Sequence, residues 1–296
     1  MPGAPDAYAY GASNAEAWTW TPSGGSALPL QSAYGAWNIA TLGGSRFSVP
    51  VFRGQNYPTP YRAGQNWRAK MPDSRTITLA MWTDGQGLHS TAAYPAADRR
   101  LAFNSNLQQL RQALFSVGAA GSAQGQLQRN WYVMQGGAPV LVQATAMAEL
   151  AGSMDLTMNG RTNAAFSTDF LLADPFFYGA QVTKACTGAT TTVTGLGEGV
   201  AGLGYSSVVN SFSVQLSAAG TVTNTTAGVS FTFTGAASFP VTVDILNATV
   251  TDTAGANWIS GLTHSGGRSW MAVQPGANVV SVSAGTATFV YNDVYI

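Results

Sequence analysis

The residues that could support acid–base or nucleophilic chemistry are few and widely separated in this sequence. His89 and His264 are the two histidines, and a catalytic triad needs a nucleophile and an orienting carboxylate beside one of them. Asp84 and Ser90 lie close to His89 in sequence, but no nucleophile-elbow pattern surrounds them. We therefore interpret this segment as the loop that follows a strand ending at Thr83.

The sequence also gives little support for a metal site or a cofactor site. One cysteine, Cys186, and two isolated histidines cannot supply a zinc site, and no acidic run has the spacing of a calcium loop. Asp244, Asp252 and Asp293 could meet only through folding. The run 197–202 fits the dinucleotide glycine pattern, but no helix pattern follows it, so we interpret it as a loop. The sequence predicts no catalytic residue, no metal and no cofactor.

Three aromatic residues of the second half raise a binding alternative. Tyr205, Trp258 and Trp270 could form a platform that stacks on sugar rings. Two facing carboxylates in a cleft would instead make a glycan hydrolase, although acidic residues are sparse here. Packing in the core of a β-sandwich explains the same aromatic residues, and we favour that interpretation.

The composition describes a neutral and weakly charged surface. Charged residues make up 9% of the 296 residues, and 13 basic residues balance 13 acidic ones. About 25% is usual for soluble domains. Such a surface suits a permanent assembly and gives no attraction to nucleic acid or to an anionic membrane. The N-terminus has no signal-peptide pattern and no apolar run is long enough to span a bilayer, so we expect synthesis in a cytoplasm without membrane insertion.

The first half of the chain mixes strands with one helix. Ile77, Leu79 and Met81 alternate with polar residues in the segment 75–83, which predicts a half-buried strand. A helix is predicted after an N-cap at Asp98. Its apolar face would consist of Phe103, Leu107, Leu110 and Leu114. Four further strands are predicted at 131–134, 140–150, 154–158 and 166–172.

The composition changes near Gly179, and the second half contains only strand signals. Short strands with turn residues between them are typical of a jelly-roll β-sandwich. We therefore predict a mainly β chain, with an N-terminal β-sandwich and one packed α-helix (α+β) followed by a C-terminal jelly-roll β-sandwich. The strands expected in the second half are 191–194, 208–216, 220–223, 229–234, 241–250, 270–273, 279–282 and 286–291.

The segment 166–178 carries the most specific pattern, Phe-Ser-Thr-Asp-Phe-Leu-Leu-Ala-Asp-Pro-Phe-Phe-Tyr. It resembles the closing strand of the N-terminal domain in siphophage distal tail and minor tail proteins, where an aromatic cluster follows an Asp-Pro turn. Proline has no N–H to give, so this turn would stop the strand. The predicted anchors of the domain junction are Asp174, Pro175, Phe176, Phe177 and Tyr178.

Other segments resemble the same family in the same order along the chain. They are 43–64, the strand 75–83, the helix after Asp98, and the segments 237–245, 274–282 and 291–296. The stretch from Pro2 to Trp37 departs from the compact start of that family. The resemblance implies a ring-forming domain at 1–178 and a galectin-like β-sandwich at 179–296.

The resemblance also implies a structural virion protein at the tail tip and not an enzyme. Six copies would form a ring that joins the tail tube protein to the tail hub or baseplate proteins. Loop residues Arg53, Arg62 and Arg68 are the candidates for ring or tube contacts. The alternatives are a virion module that binds host cell-wall glycans, a tail-tip glycan hydrolase, and another tube or hub subunit.

Overall fold

The computed structural model describes most of the chain. The described residues are 16–31, 36–40, 44, 48–53, 57–58, 65–66, 71–85, 96–115, 124–135, 138–151, 154–195, 212–265 and 270–295. The chain divides into two compact units, unit 1 at Met1–Phe176 and unit 2 at Phe177–Ile296. This division falls two residues before the boundary predicted from composition.

Unit 1 is built around one antiparallel sheet and one helix. Its strands are β1 (Ala17–Pro22), β2 (Leu28–Pro29), β3 (Trp37–Ile39), β4 (Phe52–Arg53), β5 (Tyr57–Pro58), β6 (Gln65–Asn66), β7 (Met71–Pro72), β8 (Arg75–Asp84), β9 (Gln124–Gln135), β10 (Ala138–Ala151), β11 (Thr157–Met158) and β12 (Asn163–Leu172). The order within the sheet is β2-β1-β9-β10-β12-β8-β3, and β11 pairs with β12. The pairs β4-β7 and β5-β6 form two small separate ribbons.

The sheet of unit 1 curls until its two ends meet. β2 and β3 stand at opposite ends of the strand order, yet Trp37 Nε1 donates a hydrogen bond of 2.9 Å to the Pro29 carbonyl. β1 and β12 are separated by two strands, which is about 14 Å in a flat sheet. The rings of Trp20 and Phe170 on these strands nevertheless lie 5.1 Å apart. Unit 1 is therefore a sandwich formed by one sheet folded over its own core.

Helix α1 (Ala96–Phe115) packs against β8 and β1. Phe103, Leu110 and Leu114 are buried as the helical spacing predicts. Asn106 is also buried, because its Nδ2 donates to the Asp84 carbonyl at 2.7 Å. The helix begins at Ala96, so Asp98 lies within the first turn and the prediction of an N-cap there is wrong. A carboxylate in the first turn still interacts favourably with the helix dipole.

Large and small side chains alternate across the inner face of unit 1. The guanidinium of Arg129 lies over the rings of Trp131 and Trp18, at 4.5 and 5.4 Å from their centroids. Its Nε also donates to Glu16 Oε1 at 2.6 Å. The facing residues of β10 are alanines, and Ala144 is paired with Arg129. Small residues opposite bulky ones let this layer pack closely.

Unit 2 contains two antiparallel sheets and a short 3-10 turn (Ile259–Gly261). Its strands are β13 (Phe177–Thr187), β14 (Thr191–Gly195), β15 (Phe212–Leu216), β16 (Gly220–Asn224), β17 (Val229–Phe233), β18 (Val241–Asp244), β19 (Thr249–Thr251), β20 (Leu262–His264), β21 (Gly276–Val282) and β22 (Thr286–Tyr295). One sheet has the order β19-β18-β15-β22-β13 and the other β14-β21-β16-β17-β20. The fold class is thus mainly β with one described helix, as predicted.

Apolar residues from both sheets fill the core of unit 2. On the first sheet, the ring centroids of Phe212 and Phe289 lie 6.1 Å apart. Phe231 and Phe233 extend into the same core from the second sheet. Tyr291 is buried in the same core, and its hydroxyl donates to the Thr194 carbonyl at 2.8 Å. This bond joins the two sheets through a side chain.

A pair of buried asparagines fixes one end of the second sheet. Asn224 Nδ2 donates to Asn278 Oδ1 at 3.0 Å and to the Ala272 carbonyl at 2.7 Å. Asn278 Nδ2 donates to the carbonyls of Gln274 and Gly276, at 2.7 and 3.0 Å, and its Oδ1 also accepts from Gln274 N at 2.8 Å. The side chains thereby hold the irregular segment before β21 in place.

Several predicted strands differ from the observed ones. The expected strand 241–250 is a hairpin, β18 and β19, because Asp244 accepts two hydrogen bonds from Asn247 in a turn. The segment 270–273 is not a strand. β11 is shorter than predicted, and no strand was predicted at the position of β13. Within the described residues, no helix is long and apolar enough to cross a membrane.

Candidate assembly surfaces

The predicted junction residues lie where the chain passes from unit 1 to unit 2. Asp174 is exposed in a turn after β12, and Pro175 is buried. Phe176 and Phe177 are buried, and Tyr178 is half-buried in β13. Their places in the chain agree with the predicted position of the junction, and their role as anchors stays a prediction.

Of the three arginines predicted for ring or tube contacts, the structure describes the backbone of Arg53. Arg53 belongs to β4, which pairs with β7. Arg62 and Arg68 lie outside the described residues, as do Tyr205, His89 and the glycine run 197–202. The roles of these residues therefore stay predictions.

Large apolar side chains are exposed mainly on unit 1. In the described part of the chain, the exposed set is Val49, Val51, Leu101, Phe115, Tyr132, Leu141, Met147 and Met158 in unit 1, and Leu246, Ile259 and Val279 in unit 2. Scattered single residues of this kind are ordinary, but several on one strand or one helix face form a patch that a partner can cover. On the described part of unit 1, two surfaces combine such side chains with charged residues.

The first patch, here called the helix stripe, runs along the outer side of α1. It comprises Arg100, Leu101, Arg111 and Phe115, which fall within about 100° of the helix circumference at 100° per residue. All four are exposed, Leu101 to 70%. The centre of the stripe lies about 110° around the helix from the centre of the buried face of Phe103, Leu110 and Leu114. It therefore combines two positive charges with two large apolar side chains.

The second patch, here called the acidic strand face, lies on the outer side of β10 and β12. It comprises Met147, Glu149, Asp169 and Leu171. Glu149 is paired with Leu171, and Asp169 with Ala151, so the two carboxylates are diagonal neighbours on one face. Met147 is 58% exposed and Glu149 is exposed. This surface is negative and partly apolar.

The two described tryptophans of the proposed sugar platform, Trp258 and Trp270, are held in place by different contacts. Trp258 packs against the unit 2 core, and its Nε1 donates to Asp252 Oδ2 at 2.9 Å. Trp270 stacks on His264, with ring centroids 5.7 Å apart, and also packs against the core. Among the described rings, Trp258 and Trp270 do not pair with each other. Core packing accounts for much of both side chains, in line with the interpretation that we favoured.

The carboxylates of unit 2 are engaged locally instead of forming a cluster. Asp252 Oδ1 accepts from the backbone N–H groups of Ala254 and Ala256, each at 2.9 Å. The hydrogen bond from the Trp258 indole, with these backbone bonds, lowers the pKa of Asp252 below its ordinary value. Asp293 is buried in β22. In the described part of the chain, no group of three or more His, Cys, Asp or Glu residues could hold a metal ion.

Two buried groups in unit 2 titrate far from neutral pH. Burial raises the pKa of the Cys186 thiol to about 11, against a smaller lowering effect of Lys184. Burial, followed by the charge of Asp293, raises the pKa of Tyr291 to about 12. Both side chains therefore stay protonated at neutral pH, and each belongs to the core.

The fold of the chain has a counterpart among solved structures. The chain is similar to the SPP1 Dit (gp 19.1) protein, described as a paradigm of the hub adsorption apparatus in phages that infect Gram-positive bacteria, with a TM-score of 0.52 and 12% identity. The match covers 94% of this chain and 99% of that one, and it confirms the resemblance to distal tail proteins at the level of fold. A chain of the phage P2 baseplate in its activated conformation with Ca also matches, with a TM-score of 0.37, 10% identity and coverage of 93% and 97%. No protein-family model and no curated protein matches the chain by sequence.

The helix stripe and the acidic strand face were both missed by sequence reasoning, which placed the contacts on loop arginines. A signal was present for the first patch. Arg100 and Arg111 are eleven residues apart, about three helical turns, so both lie on one side of the helix, next to the predicted apolar face. No comparable signal existed for the second patch, because Glu149 and Asp169 come together only through the pairing of β10 with β12.

Proposed function

We propose that this chain is a structural subunit of a phage tail tip and not an enzyme. Copies of unit 1 would form a hexameric ring that joins the tail tube to the hub or baseplate. Unit 2, a galectin-like sandwich in this proposal, would point outward. The protein would be made in the host cytoplasm and reside at the tip of the virion tail.

The observation that carries this proposal is the end-to-end correspondence of fold with the SPP1 Dit protein. The match covers 94% of this chain and 99% of that chain, so both units have counterparts in one order. Exposed apolar side chains concentrate on the described part of unit 1, which supports placing the ring contacts there. Copies with no net charge would also pack without long-range repulsion.

The experiment is to purify the full chain and measure its mass in solution over a wide range of concentration. We expect a closed ring of six copies, seen by light scattering and as annular particles in electron microscopy. In purified virions, an antibody to the chain should label the tail tip. A protein that stays monomeric at high concentration and is absent from virions would refute the proposal.

A second candidate function is binding of host cell-wall glycans by unit 2. The favouring observation is the stack of Trp270 on the exposed ring of His264 at the edge strand β20. A glycan array with the wild-type chain and with Trp270→Ala tests this. Signals that are absent, or identical for both proteins, would rule it out.

A further inference from the structure

The helix stripe and the acidic strand face are complementary in charge and in apolar content. In the stripe, Arg100 and Arg111 lie near two exposed apolar side chains, Leu101 and Phe115. In the acidic strand face, Glu149 and Asp169 lie beside Met147 and Leu171. In the described part of the chain, Arg100, Arg111 and Glu149 form no ion pair with one another or with other residues.

We infer that the helix stripe of one copy docks on the acidic strand face of the next copy. The inference rests on the proposed ring, and it names the surfaces that would build it. A head-to-tail contact needs two different surfaces on the same chain, since each copy offers one surface to each neighbour. Both patches belong to unit 1 and lie on different elements, α1 and the β10–β12 pair.

The chemistry of the two patches selects a second copy over other partners. A nucleic acid would be repelled by the acidic strand face, and an anionic membrane would meet the same repulsion. The apolar members, Leu101 and Phe115 on one side and Met147 on the other, supply the area that becomes dry in the contact. The charges set orientation, because two stripes or two acidic faces brought together would repel each other.

The two arginines are eleven residues apart on α1, which is about 16 Å along the axis. The two carboxylates are diagonal neighbours, which places their Cα atoms about 7 Å apart. One arginine can therefore reach Glu149 while the other lies at the rim; Asp169 is half-buried, and its Oδ1 is covered. Arg111 is four residues before Phe115, so these two side chains present charge and ring together.

Charge reversal tests this pairing. Arg111→Glu and Glu149→Arg should each raise the concentration needed for ring assembly by about tenfold or more, because each places like charges face to face. The chain that carries both substitutions should recover most of the loss, since every head-to-tail contact in the ring then regains opposite charges. Arg161→Glu is the matched control, because Arg161 is exposed on unit 1 outside both patches.

Assembly is measured by light scattering of the full chain at low and high salt, with circular dichroism to confirm that each variant folds. Rings from the wild type and the doubly reversed chain should weaken as salt rises, because salt screens charge pairs at a rim. Rings that form in every variant with equal strength would overturn the inferred surfaces while leaving the proposed ring intact. A wild-type chain that never assembles would instead overturn the ring itself, and the inference with it.

Discussion

The buried asparagine pair of unit 2 allows a sharp test of how this sandwich is stabilised. Asn278→Ala removes a fully buried side chain that donates to the carbonyls of Gln274 and Gly276 and accepts from Gln274 N and Asn224 Nδ2. In this variant Asn224 Nδ2 keeps its hydrogen bond to the Ala272 carbonyl. The backbone N–H and carbonyl of Gln274 and the carbonyl of Gly276 lose their hydrogen bonds to the Asn278 side chain. A net hydrogen bond contributes about 1 kcal/mol, so the four bonds together set an expected loss of about 3 to 4 kcal/mol in the free energy of unfolding.

The assay is urea unfolding of the full chain, followed by tryptophan fluorescence and by circular dichroism. Trp258 and Trp270 report on unit 2, and the other tryptophans lie in unit 1. The midpoint of the unit 2 transition should fall while that of unit 1 stays unchanged. Asn257→Ala is the matched control, because Asn257 is exposed and its Oδ1 accepts one local bond from Ile259 N.

The control should cost about 0.5 kcal/mol, as is usual for an exposed side chain with one local hydrogen bond. A loss of under 1 kcal/mol for Asn278→Ala, or equal losses for the two variants, would refute the reasoning. Either result would mean that water or a local shift replaces the buried network at little cost.

Four further predictions concern single side chains of the two units. Folding lowers the pKa of Asp252, so its carboxylate stabilises the folded state above the unfolded pKa of about 4. This contribution is lost as pH falls through the pKa of Asp252 in the folded state. Asp252→Asn should therefore flatten the acid dependence of the melting temperature in a pH series, and it should change the fluorescence emission of Trp258. Because burial raises the pKa of Cys186 to about 11, a thiol reagent at pH 8 should label it only after unit 2 unfolds, and fast labelling of the native chain would contradict its burial. Tyr291, with a pKa of about 12, should lose its stabilising contribution as pH rises from about 10 to 12. Unfolding curves at alkaline pH should show this loss of stability in the wild type, and Tyr291→Phe should abolish this pH dependence. Ala144→Leu should lower the free energy of unfolding of unit 1 by about 1 to 3 kcal/mol, because the Ala144 methyl group lies beside Arg129 in a tightly packed layer. An unchanged midpoint of urea unfolding would mean that the layer has room for the larger side chain.

The elements that could be predicted from the sequence are those whose periodicity reports one buried face. β8 alternates over its whole length, and Ile77, Leu79 and Met81 are buried as expected. The helix was predicted for the same reason, although it begins before Asp98. Its polar residue Asn106 is buried because of a hydrogen bond to a backbone carbonyl of β8, which periodicity does not report.

Other elements depend on contacts between distant segments and could not be predicted. β13 contains Gly179 and Ala180, and no strand was predicted there, yet it pairs with β22 through a register shift between Tyr178 and Gln181. The segment 241–250 is apolar enough for one strand, but the turn after Asp244 divides it. Composition therefore indicated the class of fold and the two halves, while the edges of strands were set by pairing partners.

The candidate contact surfaces likewise depend on contacts between distant segments, which the sequence does not report. The arginines favoured from sequence were those in loops, because loops often carry binding residues. Exposure of a charge on a strand, as for Glu149, depends on what covers that face of the sheet, and this is known only once β12 is placed beside β10. Arg129 illustrates the converse, since the sequence gives no sign that two tryptophans and Glu16 enclose it.

The curled sheet of unit 1 has a consequence for synthesis on the ribosome. β1 pairs with β9, whose residues are translated more than one hundred positions later, so Trp18 and Trp20 leave the ribosome long before their cover exists. At translation rates of about 5 to 20 residues per second, this interval is on the order of ten seconds. Holdase chaperones that favour aromatic segments would find their main target in this chain at its first strand, during translation and not after release.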